Sequence, residues 1–351
     1  MTIAAPRLLS LATAVPPFEM GQREVAERAR RIFSGVAKGE LDRLMPVFAN
    51  AGIARRYSCV PIDWYESPHG WVDRNALYLD NATRLLEDAA RRALEAARLR
   101  PGDVDAVVCV STTGIATPSL DAVVAGRLGL RPDVRRLPVF GLGCAGGVNG
   151  LASAVDLARA APGSRVLFLV VELCALSFRR HDISKSNIVA TALFGDGAAA
   201  AVVSSKGYGP AFGNAGEHTW PSSLDIMGWD VAEDGLKAIF SRDIPALVER
   251  DLRAVVGDFL RREDLRLGDI RHYVCHPGGA KVVTALEAAF ELPAGALDSA
   301  RGVLSDYGNM SAPTVLFVLD RVLRSGAEGR MLLTALGPGF TAGMLRLDVP
   351  G

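Results

Sequence analysis

A cysteine placed between the end of a strand and the start of a helix is positioned for nucleophilic chemistry. The stretch Leu137–Gly150, LPVFGLGCAGGVNG, is built that way. A short apolar run from Leu137 to Leu142 ends at Gly143, and Cys144 stands at the turn. A helix is expected from about Ala145 to Ala161, closed by Pro162–Gly163. Its unpaired N–H groups and dipole would favour the thiolate, which is the nucleophilic form. Ala145, Gly146, Gly147, Gly150, Ala152, Ser153 and Ala154 give up helix propensity so that backbone can pack closely on every side. A lone cysteine is more often a small buried hydrophobe, so the rest of the chain decides.

The elements that must position such a cysteine need a large core, and 351 residues can bury one. Forty-nine per cent hydrophobic residues and 36 glycines suit a compact α/β enzyme rather than a disordered or fibrous chain. Lys+Arg and Asp+Glu both number 39, so no overall charge recruits nucleic acid or an anionic membrane. Five cysteines (Cys59, Cys109, Cys144, Cys174 and Cys275) without CxxC spacing point to a reducing, cytoplasmic setting, with no disulfide framework and no zinc site. The segment from Arg7 to Val15 has a faint signal-peptide look, but Pro16–Pro17 and an amphipathic pattern over Gln22–Phe33 make it a first strand, loop and helix. No apolar run is long enough to predict a membrane span.

Helical periodicity returns at Glu40–Ala51 and Asn81–Leu99, and Val104–Ser111 reads as a strand buried on both sides. Strands are expected at Leu137–Phe140, Arg165–Val171 and Ala198–Val203, with a boundary stretch running from Ser204–Ser205 to Pro221. The second half then repeats the first. Val104–Ser111 pairs with Ile270–Cys275, Arg165–Val171 with Arg330–Leu336, and Ala198–Val203 with Gly343–Leu347. Cys144 lies 21 residues before Arg165, and Asn309 lies 21 before Arg330 at the head of a helix through Leu323. A pseudo-twofold would bring equivalent strand ends to one crevice. His276, following a strand in YVCHPGGAK, would face Cys144 and Asn309 there, a compatible nucleophilic constellation.

At these residues the chain resembles the type III polyketide synthases, the chalcone-synthase-like condensing enzymes of the thiolase fold. The segments that carry the resemblance are GIARRY (52–57), GCAGG around Cys144, TALFGDGAA (191–199), CHPGG (275–279), SDYGNMSAPTVLFVLD (305–320) and LGPGFTAG (336–343). ARRYSCVP, RHDISKSNIVATALFGDG and MGWDV (227–231) look most like bacterial alkylpyrone and alkylresorcinol synthases. The resemblance implies an αβαβα five-layered α/β fold with two pseudo-symmetric halves, 1–205 and 206–351, and a homodimer. Cys144 would carry the starter acyl group. His276 would hold the thiolate as an ion pair and, with Asn309, donate to the carbonyl oxygen of malonyl-CoA as CO2 leaves. Phe194 matches a gate; Thr112, Thr113, Cys174, Ser177, Trp229 and Ser311 match cavity-lining positions.

There are departures. Plant relatives carry three phosphate-gripping basic residues in Leu41–Ala51; here Arg43 keeps one, while Pro46 and Asn50 replace the others. Arg55, Arg56 and Lys281 remain as candidates for CoA, and the lost charges leave room for an acyl carrier protein as starter donor. A second gate phenylalanine aligns with Ala238, which widens the mouth unless Phe240 rotates in. The expected activity is iterative condensation of a medium- or long-chain acyl-CoA with malonyl-CoA, then closure to an alkylpyrone or alkylresorcinol. Decarboxylation drives each bond, so no cofactor is expected. The alternatives are a ketoacyl synthase of fatty-acid initiation, which HPGG and GPGF oppose, a type III synthase with a small starter or a malonyl-only product of the tetrahydroxynaphthalene type, and a non-catalytic acyl-binding scaffold.

Overall fold

The computed structural model describes residues 5–35, 38–241 and 243–351. Among the described residues thirteen strands run in chain order: β1 (Arg7–Ala14), β2 (Phe18–Gly21), β3 (Arg55–Ser58), β4 (Ala106–Val110), β5 (Arg135–Val139), β6 (Arg165–Leu173) and β7 (Asp196–Ser204) precede residue 205. After it come β8 (Ala211–Thr219), β9 (Met227–Ala232), β10 (Gly235–Phe240), β11 (His272–Cys275), β12 (Gly329–Gly337) and β13 (Thr341–Val349). Nine of them form one sheet in the order β11-β12-β13-β8-β1-β7-β6-β4-β5. The repeat read from the sequence is visible in the pairing. β4 runs parallel to β6, which is antiparallel to β7; β11 runs parallel to β12, which is antiparallel to β13. Even the turns match: Asp103 accepts from the Arg100 amide at 2.8 Å before β4, and Asp269 accepts from the Arg266 amide at 2.8 Å before β11.

The apolar runs of β6 and β7 are continuous because both faces are covered. Val166, Phe168 and Val170 face one core, while Leu167, Leu169 and Val171 face another. The second core is closed by the helices Gln22–Ile32, Trp71–Ala96 and Leu120–Leu128. Two helices, Gly146–Ala160 and Thr314–Arg324, lie between the two parts of the sheet, and Arg253–Arg261 and Ala280–Ala289 cover the far side. At the central crossing a Cβ on Gly147 would overlap the carbonyl oxygen of Ala312, which is why the cysteine helix carries glycine there.

Several expected boundaries moved. The helix expected over Glu40–Ala51 is two, Lys38–Leu44 and Pro46–Asn50, because proline starts a new helix at its first position. The helix expected to start at Asn81 begins ten residues earlier, at Trp71. Ala211–Thr219, inside the expected boundary stretch, is the strand β8; its glycines and polar residues hide a pairing imposed by β13.

Candidate active site

Cys144 lies in a short 3-10 turn, Gly143–Ala145, directly before its helix. The turn needs the left-handed Gly143 (φ 47°), and a Cβ there would meet the ring of Pro338 in the GPGF loop. Thr112 Oγ1 accepts from the Gly143 amide at 3.3 Å, so the strand end after β4 holds the turn from the other side. Asn309 stands five residues before its helix rather than at its first turn, and Ser311 takes a left-handed φ of 56° between them. Its place is set by Phe194: the two residues form a parallel bridge, with the Asn309 amide donating to Leu193 at 2.8 Å and Gly195 donating to Asn309 at 3.0 Å. His276 follows β11, its amide donating to Thr334 at 2.8 Å.

Cys144 and Asn309 are linked to each other through Ser311 and to the loop after His276 through backbone. Cys144 Sγ and Ser311 Oγ are 3.4 Å apart, and the Ser311 amide donates to Asn309 Oδ1 at 2.7 Å. Asn309 Nδ2 donates to the Gly278 carbonyl, in the loop that begins at His276, at 3.1 Å. Fixing Oδ1 as an acceptor orients the amide, and Nδ2 keeps a second N–H for another acceptor. Both ring nitrogens of His276 are buried without a partner. Burial pushes the Cys144 thiol up to about 11 and the His276 imidazole down to about 4. Burial thus works against the thiolate expected at the helix start and against charge on the imidazole, each taken without the other.

Thr112 and Thr113 are both buried and held by Glu172, a residue the sequence reading passed over. Its carboxylate accepts from both amides at 2.9–3.0 Å and from Thr113 Oγ1 at 2.7 Å. Burial pushes it up to about 7 against those bonds. A lone acid in the apolar run RVLFLVVEL was the available signal. Cys174, Phe194 and Ala238 pack together with Trp229 and Phe240. Ala238 and Phe240 share a face of β10 because side chains alternate along a strand, and the Phe240 ring sits 5.7 Å from that of Phe194. The widened mouth expected at Ala238 is thus refilled from two residues on. Ser177 donates to the Cys174 carbonyl at 2.7 Å.

A narrow apolar cavity of about 60 Å³ runs past Cys174, Ser177 and Phe194 to the apolar face of the helix Gln22–Ile32. Met20, Val25, Ala29 and Phe178 are among its walls.

The four basic residues expected at CoA fare differently. Arg43 and Lys281 are exposed, and half-exposed Arg55 lies 3.6 Å from Asp306. Arg56 is corrected: it is buried, and its guanidinium donates to the carbonyls of Thr191, Ala192 and Phe194 and to Gln22 Oε1. Those are the last carbonyls of the helix Lys185–Leu193, so Arg56 caps the segment that presents Phe194. Burial lowers it to about 10, still charged at neutral pH.

The two-halved sheet, with the buried Cys144, His276 and Asn309 at the ends of its elements, has the thiolase-like α/β fold. The particular family follows from comparison with known proteins. Residues 65–207 match the N-terminal domain, and residues 214–348 the C-terminal domain, of chalcone and stilbene synthases. A 1,3,6,8-tetrahydroxynaphthalene synthase of Streptomyces peucetius is 39% identical over 94% of this chain and 89% of its own. The alpha-pyrone synthesis polyketide synthase-like Pks18 of Mycobacterium tuberculosis is 27% identical over 97% of this chain and 90% of its own. The crystal structure of the tetrahydroxynaphthalene synthase of Streptomyces coelicolor superposes with a TM-score of 0.94 at 30% identity, over 98% of this chain and 99% of that one. The chain belongs to the chalcone and stilbene synthase family, the type III polyketide synthases, which are acyltransferases that condense CoA thioesters by decarboxylative Claisen chemistry. No helix among the described residues is long and apolar enough to cross a membrane.

Proposed function

We propose that this enzyme extends a medium- or long-chain fatty acyl-CoA with malonyl-CoA and closes the product to an alkylpyrone or alkylresorcinol. The pocket beside Cys174 carries this reading, because its walls of Met20, Val25, Ala29, Ile32 and Phe178 suit a hydrocarbon tail, which a malonyl-only chain lacks. Cys144, held as a thiolate paired with protonated His276, attacks the starter thioester, and the departing CoA sulfur takes the proton from His276 and leaves as its thiol. Malonyl-CoA then loses CO2, and the enolate oxygen is met by the free N–H of Asn309 and by an N–H of His276. The enolate carbon attacks the acyl group on Cys144, forming the new carbon–carbon bond and releasing the sulfur. Decarboxylation makes each round favourable, so the reaction asks for no metal or redox cofactor.

Arg43, Arg55 and Lys281 are the proposed grip on CoA. With Pro46 and Asn50 where further charges are expected, an acyl carrier protein is a second possible starter donor. A homodimer is supported by β5, the outermost strand of the sheet, which exposes Leu137 with Phe140 just beyond it, beside the Cys144 turn. Phe140→Asp should then give monomers in sedimentation experiments. The reading places the enzyme in the cytoplasm.

A malonyl-only product of the tetrahydroxynaphthalene type is the second reading, favoured by the 39% identity to such a synthase. Mass spectrometry of products from malonyl-CoA alone and with a ladder of acyl-CoA starters separates the two. Alkylated products whose yield rises with chain length support the first; a single product from malonyl-CoA alone, indifferent to added starters, supports the second.

A further inference from the structure

The pocket has an inner and an outer end. Cys174 and Phe194, at the inner end, are buried. At the outer end the wall is made of partly exposed Arg28, Ile32 and Ile62. Here the helix Gln22–Ile32 faces the turn Ile62–Glu66, and charges join their outer sides beyond the shared core of Val25, Ala29 and Tyr65. Arg28 Nη1 lies 2.5 Å from Asp63 Oδ1 and 2.5 Å from Glu66 Oε1, with Glu24 at 3.9 Å. Arg31 adds a bridge to Glu66 at 3.2 Å, and Arg180 donates to the Glu66 carbonyl. Arg28 therefore does two things at once: its stem lines an apolar pocket, and its head ties the two segments that flank the outer end. Long basic side chains commonly divide in this way between apolar surface and water.

We infer that the Arg28–Asp63–Glu66 cluster closes the far end of the acyl-tail pocket and sets the longest starter the enzyme prefers. The inference rests on the proposal that the pocket holds the tail. Up to the cluster, each added methylene is buried and improves binding about fourfold. Beyond it, a longer tail must displace the Arg28 side chain and leave through the gap between helix and turn. The cluster is partly exposed, so its bridges are individually weak and screened by salt, which suits a closure that yields to a long chain. The buried anchors of the helix, Gln22, Val25 and Ala29, are independent of it, so opening the cluster need not unfold the helix.

The test compares wild type, Arg28→Ala and Cys174→Phe by kcat/KM over even-numbered acyl-CoA starters from hexanoyl to octadecanoyl, below their micellar concentrations. Wild type should show a rise with chain length and then a break. In Arg28→Ala the break should move to longer chains, and the ratio of kcat/KM for the first starter past the wild-type break to that for octanoyl-CoA should rise about tenfold or more. In Asp63→Asn/Glu66→Gln, which frees Arg28 without removing its stem, the ratio should rise less. An unmoved break in both Arg28→Ala and the double variant, while Cys174→Phe still shortens the accepted range, overturns the closure and leaves the tail pocket standing. An accepted range unchanged by all three overturns both.

Discussion

Replacing Cys174 with phenylalanine perturbs the pocket at its inner end, where the fully buried thiol forms part of the wall together with Ala175, Ser177 and Phe194. Cys174 makes no side-chain hydrogen bond there, so the change acts through volume alone. A ring that blocks the path of four methylenes removes about 0.8 kcal/mol for each, together about 3 kcal/mol, or some 200-fold in kcat/KM. The loss should fall on starters long enough to reach past the ring, whereas butanoyl- and hexanoyl-CoA should react within a few-fold of wild type. The assay is product formation from a chain-length ladder with malonyl-CoA, normalised to active Cys144 by stoichiometric alkylation. Overpacking costs roughly 1–3 kcal/mol of stability, so thermal melts should run alongside. If a folded Cys174→Phe enzyme kept full activity on dodecanoyl- and hexadecanoyl-CoA, the tail would not pass Cys174 and the substrate assignment would fail.

Other outcomes follow from the same geometry. Cys144→Ala should abolish acyl loading with an unchanged fold; an acyl-enzyme trapped by mass spectrometry on Cys174 would overturn that assignment. Asn309→Ala should slow malonyl-CoA decarboxylation by about 10²–10³-fold, the usual loss for one oxyanion donor, while starter loading survives; equal collapse of both steps would make Asn309 structural. In His276→Ala the buried Cys144 thiol loses its proton acceptor and titrates near 11. Its alkylation rate should then climb about tenfold per pH unit up to pH 10, since only thiolate reacts, and a plateau below pH 8 would show that burial does not hold the thiol up. Arg56→Lys keeps the charge but cannot reach the same carbonyls, so it should cost about 3–5 kcal/mol in denaturant unfolding; a loss under 1 kcal/mol would deny its capping role.

Much of this protein was legible in the chain because burial writes itself into composition. Strands covered on both faces must be apolar throughout, so β4, β6 and β7 stand out. The close crossing at Gly147 demands small residues, so the cysteine helix does too. The internal repeat pointed to Cys144, His276 and Asn309 as equivalent positions, and Ser311 and Gly278 link the elements that carry them. What tertiary structure alone decided concerns partners distant in sequence. Arg56 looks like any basic residue in ARRY until the helix ending at Leu193 arrives to be capped, and Glu172 until the Thr112–Thr113 amides close around it. Phe240 refills the space left at Ala238 only because both lie on one face of β10 against Phe194. The electrostatics of the site belong to the same class: a helix start argues for thiolate, while the depth at which the fold buries Cys144 and His276 opposes charge on each, and depth is a property of the assembled layers.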